Sequence, residues 1–237
     1  MQFQFSQYQY QTDAADAVCD VFDGQPLQDG VSYIRDVGIR KPVFPDPEPI
    51  QDTLFEDNRP KQATFNSYDE DDDTGYRNAD LLLTYERLLA NVKNVQRRQN
   101  LEESPKLYAD PAGAVELDVE METGTGKTFV YTKTMFELNR RYGWSKFIVV
   151  VPSIAIREGV AKSLDMTNDY FYTSGRDGNE GYGKKLHSFI YDSSSLTRLD
   201  EFAQSSDIQV MIINMQAFNT SMKAVSYTHL RAHETKA

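Results

Sequence analysis

One eight-residue stretch, Met121–Thr128 (M-E-T-G-T-G-K-T), restricts the possible folds of this chain more than any other part of it. Glycine admits positive φ and lets other groups approach the backbone, so Gly124 and Gly126 suit a tight turn whose N–H groups converge. Placed at a helix N-terminus, such a turn holds a cluster of phosphate oxygens without bulky cations. Lys127 then reaches the β- and γ-phosphates, and the Thr128 hydroxyl can ligate Mg²⁺. The pattern points to ATP and Mg²⁺ as cofactors. It makes Thr123, Gly124, Thr125, Gly126, Lys127 and Thr128 the candidate cradle, with Lys127 and Thr128 as its catalytic pair. The general form of the motif, G-x-x-x-x-G-K-[ST], starts with Gly, where this chain has Met121.

A phosphate loop of this kind must follow a strand and open a helix, and the flanking patterns comply. Val115, Leu117, Val119 and Met121 alternate with acidic residues and predict a strand over 115–121. A helix is expected from 127 to 142, with Gly143 placed to stop it. Phe147–Val151 (F-I-V-V-V) is a continuous apolar run, expected to be a strand buried on both faces. A helix over 154–164, a helix over 196–203 and a second buried strand over 208–213 follow. Residues 170–192 are mixed, and the four glycines between 175 and 183 mark a loop. Alternating strands and helices predict an α/β fold, a mostly parallel sheet with helices on both faces.

The first half is less regular. Residues 2–5 alternate Gln and Phe and suggest a short strand. Thr12–Phe22 reads as a helix with Ala14, Ala15, Val18, Val21 and Phe22 on one face, Thr12 as its cap and Gly24 as its end. Five prolines between 42 and 60 make 41–60 a connector, and the acidic run 69–73 reads as a solvated loop, not a metal site. Leu81, Leu82, Tyr85, Leu88, Leu89, Val92 and Val95 recur at helical spacing and predict a helix over 79–98.

Composition narrows the class. The chain has 237 residues, 40% hydrophobic and 26% charged, enough for one sizeable core. No run approaches the ~18 consecutive apolar residues of a membrane span, and the N-terminus lacks the pattern of a secretory signal. Cys19 is the only cysteine, which excludes a disulfide framework and fits a reducing cytoplasm. A net charge of −11 is the wrong sign for a protein held to nucleic acid by bulk electrostatics, so any such contact must be local.

The neighbourhood of the loop carries a family resemblance. L-D-V-E-M-E-T-G-T-G-K-T-F-V-Y at 117–131 resembles the phosphate-loop segment of the restriction (Res) subunit of type III restriction–modification enzymes, in which Met commonly replaces the first Gly. K-F-I-V-V-V-P-S-I-A-I-R-E-G-V at 146–160 is similar to that family's helicase motif Ia. I-Q-V-M-I-I-N-M-Q-A-F-N at 208–219 and Y-Q-T-D-A-A-D-A-V at 10–18 resemble its following strand-and-turn segment and its Q-motif region. The resemblance covers roughly residues 8–220.

It implies a superfamily 2 helicase-like motor and a RecA-like P-loop NTPase fold, truncated here. It also implies double-stranded DNA and the methylation (Mod) subunit as partners, no membrane, and a prokaryotic cytoplasm. Gln11 becomes the candidate adenine reader, against the plainer reading of a polar residue beside a helix start. Ser153 and Arg157, just beyond a strand's C-terminal end, become candidate contacts to a nucleic-acid backbone. Their plainer readings are a helix cap and a solvated helix charge.

The acidic Asp-Glu motif that a motor ATPase needs is expected after the segment at 208–219. Asp200–Glu201 sits in an amphipathic helical pattern and reads as surface. V-S-Y-T-H-L-R-A-H-E-T at 225–235 resembles the translation of a sequencing adapter, so residues 225–237 are read as non-biological, with His229, His233 and Glu234 a decoy for zinc. The expected organisation is a Q-motif-like segment (1–24), a connector plus helix (25–113), an incomplete ATPase domain (114–224) and the tail. Two other functions fit the residues: a superfamily 2 helicase-like ATPase without nuclease, and a non-enzymatic nucleotide-binding interaction module.

Overall fold

The computed structural model describes residues 5–28, 30–34, 74–109, 115–177, 180–192 and 196–219. The expected connector at 41–60, the acidic run at 69–73, most of the expected strand at 2–5 and the tail at 225–237 lie outside the described residues.

At the centre is a parallel sheet in the order β5 (Lys146–Val151), β7 (Ile208–Asn214), β6 (Leu186–Ile190). Side chains alternate across it. One face presents Val151, Val210, Ile212 and Leu186, and packs on Met135 and Phe136 of α3 (Lys127–Tyr142) and on Val160, Leu164 and Phe171 of α4 (Ile154–Thr173). The opposite face presents Phe189, which meets Phe202 of α5 (Leu196–Gln204) edge to face at 5.8 Å. The expected α/β class, with helices on both faces of a parallel sheet, is therefore present, though the sheet is small. The core is strongly aromatic. Phe171 is fully buried, with Phe129 and Phe136 at ring distances of 5.0 and 5.1 Å.

The central strand β7 is buried on both faces, as expected. Phe147–Val151 is not. In the order above β5 lies at an edge, and Ile148 and Val150 remain 52% and 38% exposed. A run of β-branched residues signals strand; it does not say how many neighbours the strand will have. Helix α4 runs well past 164, because Leu164, Thr167 and Phe171 continue its buried stripe. The mixed region at 170–192 contains the end of α4 and the strand β6.

Helix α1 (Gln9–Asp20) buries Gln11, Ala15 and Cys19 against α3. Thr12 is not its cap. The cap position is Tyr8, with no side-chain bond, and the Thr12 hydroxyl inside the helix accepts from Lys133 Nζ at 3.0 Å. Polar bonds add to this junction: Arg141 of α3 pairs with Asp16 and Asp20, and Tyr142 donates to the Cys19 carbonyl at 2.8 Å. Burial pushes the Cys19 thiol up to about 12.

The helix expected over 79–98 begins only at Tyr85, as α2 (Tyr85–Arg98), capped by Thr84. Gln25 explains the loss. Its amide donates to the Asp80 carbonyl at 3.0 Å and accepts from Leu82 N at 2.9 Å, holding 80–82 out of the helix as a neighbouring strand would. Strands β1 (Val31–Ile34) and β2 (Thr74–Arg77) pair antiparallel.

The strand expected over 115–121 shrinks to β4 (Val115–Glu116), paired antiparallel with β3 (Tyr108–Ala109) and outside the central sheet. Residues 117–122 have no regular structure, and Val119 is 49% exposed. Alternation specifies a strand only where a core covers one face, and on the apolar side of 117–121 Val119 is exposed and Leu117 and Met121 are only half-buried.

Candidate nucleotide site

The loop expected from sequence is formed where sequence put it. Gly124 and Gly126 have φ of +85° and +89°, and α3 starts at Lys127 with Gly126 in the cap position. No side chain caps this helix. The orphan donors of its first turn, and the positive end of the helix dipole, therefore face outward. Gly143, at φ 79°, closes α3 as expected.

The two loop glycines differ in what surrounds them. A Cβ at Gly124 would meet nothing within 4 Å. A Cβ at Gly126 would lie 2.7 Å from Gln11 Nε2. That amide donates to the Thr125 carbonyl at 3.0 Å, and Gln11 is only 6% exposed. The hydroxyl of Tyr10 donates to the same carbonyl at 3.0 Å. The start of α1 is thus bonded to the loop through one acceptor, and the residue expected to read a base touches the loop itself. The Gln11 Oε1 atom is buried with no hydrogen-bond partner.

Lys127 is exposed, and its ammonium folds back to donate to the Glu122 carbonyl at 3.1 Å. The Thr125 hydroxyl donates to the same oxygen at 2.7 Å. An anion entering the loop competes for both donors. Thr123 is exposed, and Thr128 lies half-buried in the first turn of α3, where its carbonyl accepts from Thr132 Oγ1 at 2.7 Å. These features fit a polyphosphate: an uncapped helix start, two positive-φ glycines and one exposed ammonium.

Ser153 and Arg157 lie elsewhere on the chain, at the start of α4 just past the end of β5. Ser153 is the N-cap, its hydroxyl accepting from Ile156 N at 3.4 Å. Arg157 pairs with Glu158 at 3.1 Å, and its side chain is only 20% exposed, with Nε buried and unpartnered. The solvated reading of Arg157 is therefore too simple. Asp200 and Glu201 are exposed on α5, as expected of a surface pair. Among the described residues, no group of three His, Cys, Asp or Glu could hold a metal, and no helix is long and apolar enough to cross a membrane.

Sequence reading missed two residues that fix the site. Lys133 is 1% exposed and binds Thr12 Oγ1 and the Arg176 carbonyl, linking α3, α1 and the turn after α4. Burial lowers its pKa, against the pull of Glu137, Asp16 and Asp177. Its flanking threonines gave no sign of burial, because α3 is covered on nearly every side. Tyr10 was the other, and its position next to Gln11 was the available signal.

With this geometry in hand, comparison with known proteins places the chain. The family described as Type III restriction enzyme, res subunit, matches residues 81–236. The chain belongs to that family. Similar Res subunits include that of the EcoPI enzyme of Escherichia phage P1, 30% identical over 157 residues, and that of the EcoP15I enzyme of Escherichia coli, 28% identical over 157 residues. Each alignment covers 61% of this chain and 15% of the relative. The StyLTI Res subunit of Salmonella typhimurium is 37% identical over 135 residues, covering 48% of this chain and 12% of the relative. This Res-family chain therefore spans about 15% of the first two relatives' length.

Proposed function

We propose that this chain is the ATP-binding part of the DNA-dependent motor of a type III restriction endonuclease, built on a RecA-like P-loop fold. The observation that carries the reading is the loop itself: an uncapped α3 N-terminus behind Gly124 and Gly126, with Lys127 exposed and bonded to the Glu122 carbonyl.

In this reading Thr123–Thr128 wrap the phosphates of ATP. Lys127 leaves Glu122 and moves its ammonium to the β- and γ-phosphate oxygens. Thr128 would hold Mg²⁺ through its hydroxyl, and the ion would supply charge neutralisation on the phosphates. Gln11 lies beside the loop as the candidate adenine reader; in this geometry its amide is engaged by Thr125, so reading a base requires that bond to open. Ser153 and Arg157 are the candidate contacts to the DNA backbone. In the whole enzyme, hydrolysis drives movement on double-stranded DNA and cleavage of foreign DNA together with the Mod subunit, in a prokaryotic cytoplasm.

The test is MgATP binding by titration, with Lys127→Ala as control, and DNA-stimulated ATP hydrolysis by a complete Res–Mod enzyme carrying the same substitution. Binding that survives Lys127→Ala, or DNA-stimulated hydrolysis by the complete enzyme that survives it, overturns the reading.

A further inference from the structure

One tyrosine in the helix behind the loop is out of keeping with its neighbours. Tyr131 of α3 packs its ring against the core between α3, α4 and the sheet. Its hydroxyl is buried there and makes no well-formed hydrogen bond among the described residues. Two other tyrosines that reach the core are satisfied: Tyr142 donates to the Cys19 carbonyl at 2.8 Å, and Tyr182 to Glu137 at 2.7 Å. The threonine hydroxyls next to Tyr131 on the same helix are satisfied too, since Thr132 and Thr134 donate to the carbonyls of Thr128 and Val130. A buried hydroxyl left without a partner costs stability, so an orphan of this kind calls for a reason outside packing. Phenylalanine at 131 would fill the same space without that cost.

The position of Tyr131 supplies a reason. A helical side chain leans toward the N-terminus, over the residues three and four positions before its own. For Tyr131 those are Thr128 and Lys127, the first residues of α3. Burial raises the pKa of Tyr131 and the Thr128 hydroxyl works against that rise, so the two hydroxyls are near neighbours. A threonine that holds a cation through its oxygen must send its proton elsewhere, and the Tyr131 oxygen can accept it. We propose that Tyr131 is a positioning residue for the metal-holding hydroxyl of the nucleotide site: its oxygen accepts the Thr128 proton and leaves the Thr128 lone pairs free for Mg²⁺. This rests on the proposed nucleotide site and adds to it the group that sets the Thr128 hydroxyl. The empty chain carries an unsatisfied hydroxyl that loading of the loop satisfies.

The experiment uses the whole chain and three probes: ATP with Mg²⁺, ATP in EDTA, and ATP with Mn²⁺ read by water-proton relaxation. Tyr131→Phe removes only the hydroxyl. Its urea midpoint should equal that of the unsubstituted chain or exceed it, because no bond is lost. Its ATP affinity in EDTA should be unchanged, while the gain in affinity on adding Mg²⁺ shrinks by about two- to tenfold, the range of one hydrogen bond. The Mn²⁺ titration should weaken by the same factor. In a Thr128→Val chain the substitution should change neither affinity. An unchanged Mg²⁺ gain in Tyr131→Phe overturns the proposal. So does an equal loss with and without the metal, which would make Tyr131 a support of the loop, and so does a lowered urea midpoint, which would show that the hydroxyl already has a structural partner. Failure of the underlying site reads differently: ATP with Mg²⁺ then binds no better to the unsubstituted chain than to Lys127→Ala.

Discussion

Gly126→Ala and Gly124→Ala form a matched pair that separates two costs at the loop. Both glycines have positive φ, +89° and +85°, so either alanine pays for left-handed backbone, roughly 1–2 kcal/mol. At Gly124 that is the whole cost, because the new methyl enters open space. At Gly126 the methyl also lies 2.7 Å from Gln11 Nε2. The amide can retreat only by giving up its 3.0 Å bond to the Thr125 carbonyl. A lost hydrogen bond of this kind costs about 1 kcal/mol, and more if the Gln11 amide stays buried and unpaired, the carbonyl keeping its bond from Tyr10. Gly126→Ala should therefore destabilise the chain by about 1–2 kcal/mol more than Gly124→Ala, measured by urea unfolding. The decisive step is a double-mutant cycle with Gln11→Ala. In that background there is no amide to displace, and the two glycine substitutions should cost the same. If Gly126→Ala still costs the extra amount without Gln11, the contact between α1 and the loop is not what makes glycine necessary there.

Other perturbations test the surroundings. Phe171→Ala removes a fully buried ring that touches Phe129 and Phe136, and should cost about 3–5 kcal/mol by the same unfolding assay. Lys133→Met keeps the volume but removes its bonds to Thr12 and the Arg176 carbonyl and leaves both to Gln7; hydrogen exchange should rise in α1 while α4 stays protected. Glu137 gives a pH signature. Burial raises its pKa, but hydrogen bonds from Arg140, Tyr182 and Arg141 outweigh that and hold it below its ordinary 4.5. A depressed carboxylate contributes stability that is complete above about pH 4.5 and lost as the pH falls through the lower folded value. Glu137→Gln should flatten that acid limb, whereas Asp16, raised mainly by burial, acts in the opposite sense. Cys19, fully buried with its thiol pushed up to about 12, should resist alkylation at pH 8 until the chain is unfolded.

Local chemistry fixed by itself everything that depends on neighbours in the chain. The T-G-T-G-K-T run needs its two glycines wherever it folds, so the loop and the start of α3 were legible, as were Gly143 as its stop and the apolar strand over 208–213. Tertiary structure decided how many neighbours each element has. β5 became an edge strand because, among the described residues, only β7 pairs with it, which no feature of F-I-V-V-V could announce. Residues 79–84 failed to join α2 because Gln25, distant in sequence, bonds the backbone at 80 and 82. The segment 117–121 stayed irregular because its apolar side is only partly covered.

At the site the same division holds. Lys127 and Thr128 were readable from spacing, since the phosphate loop is a local structure. The bonds from Tyr10 and Gln11 to Thr125, and the burial of Lys133 between three elements, exist only after α1 docks on α3. A sequence lists donors and acceptors, but long-range pairing depends on which surfaces the hydrophobic core brings together, and that selection belongs to the folded chain.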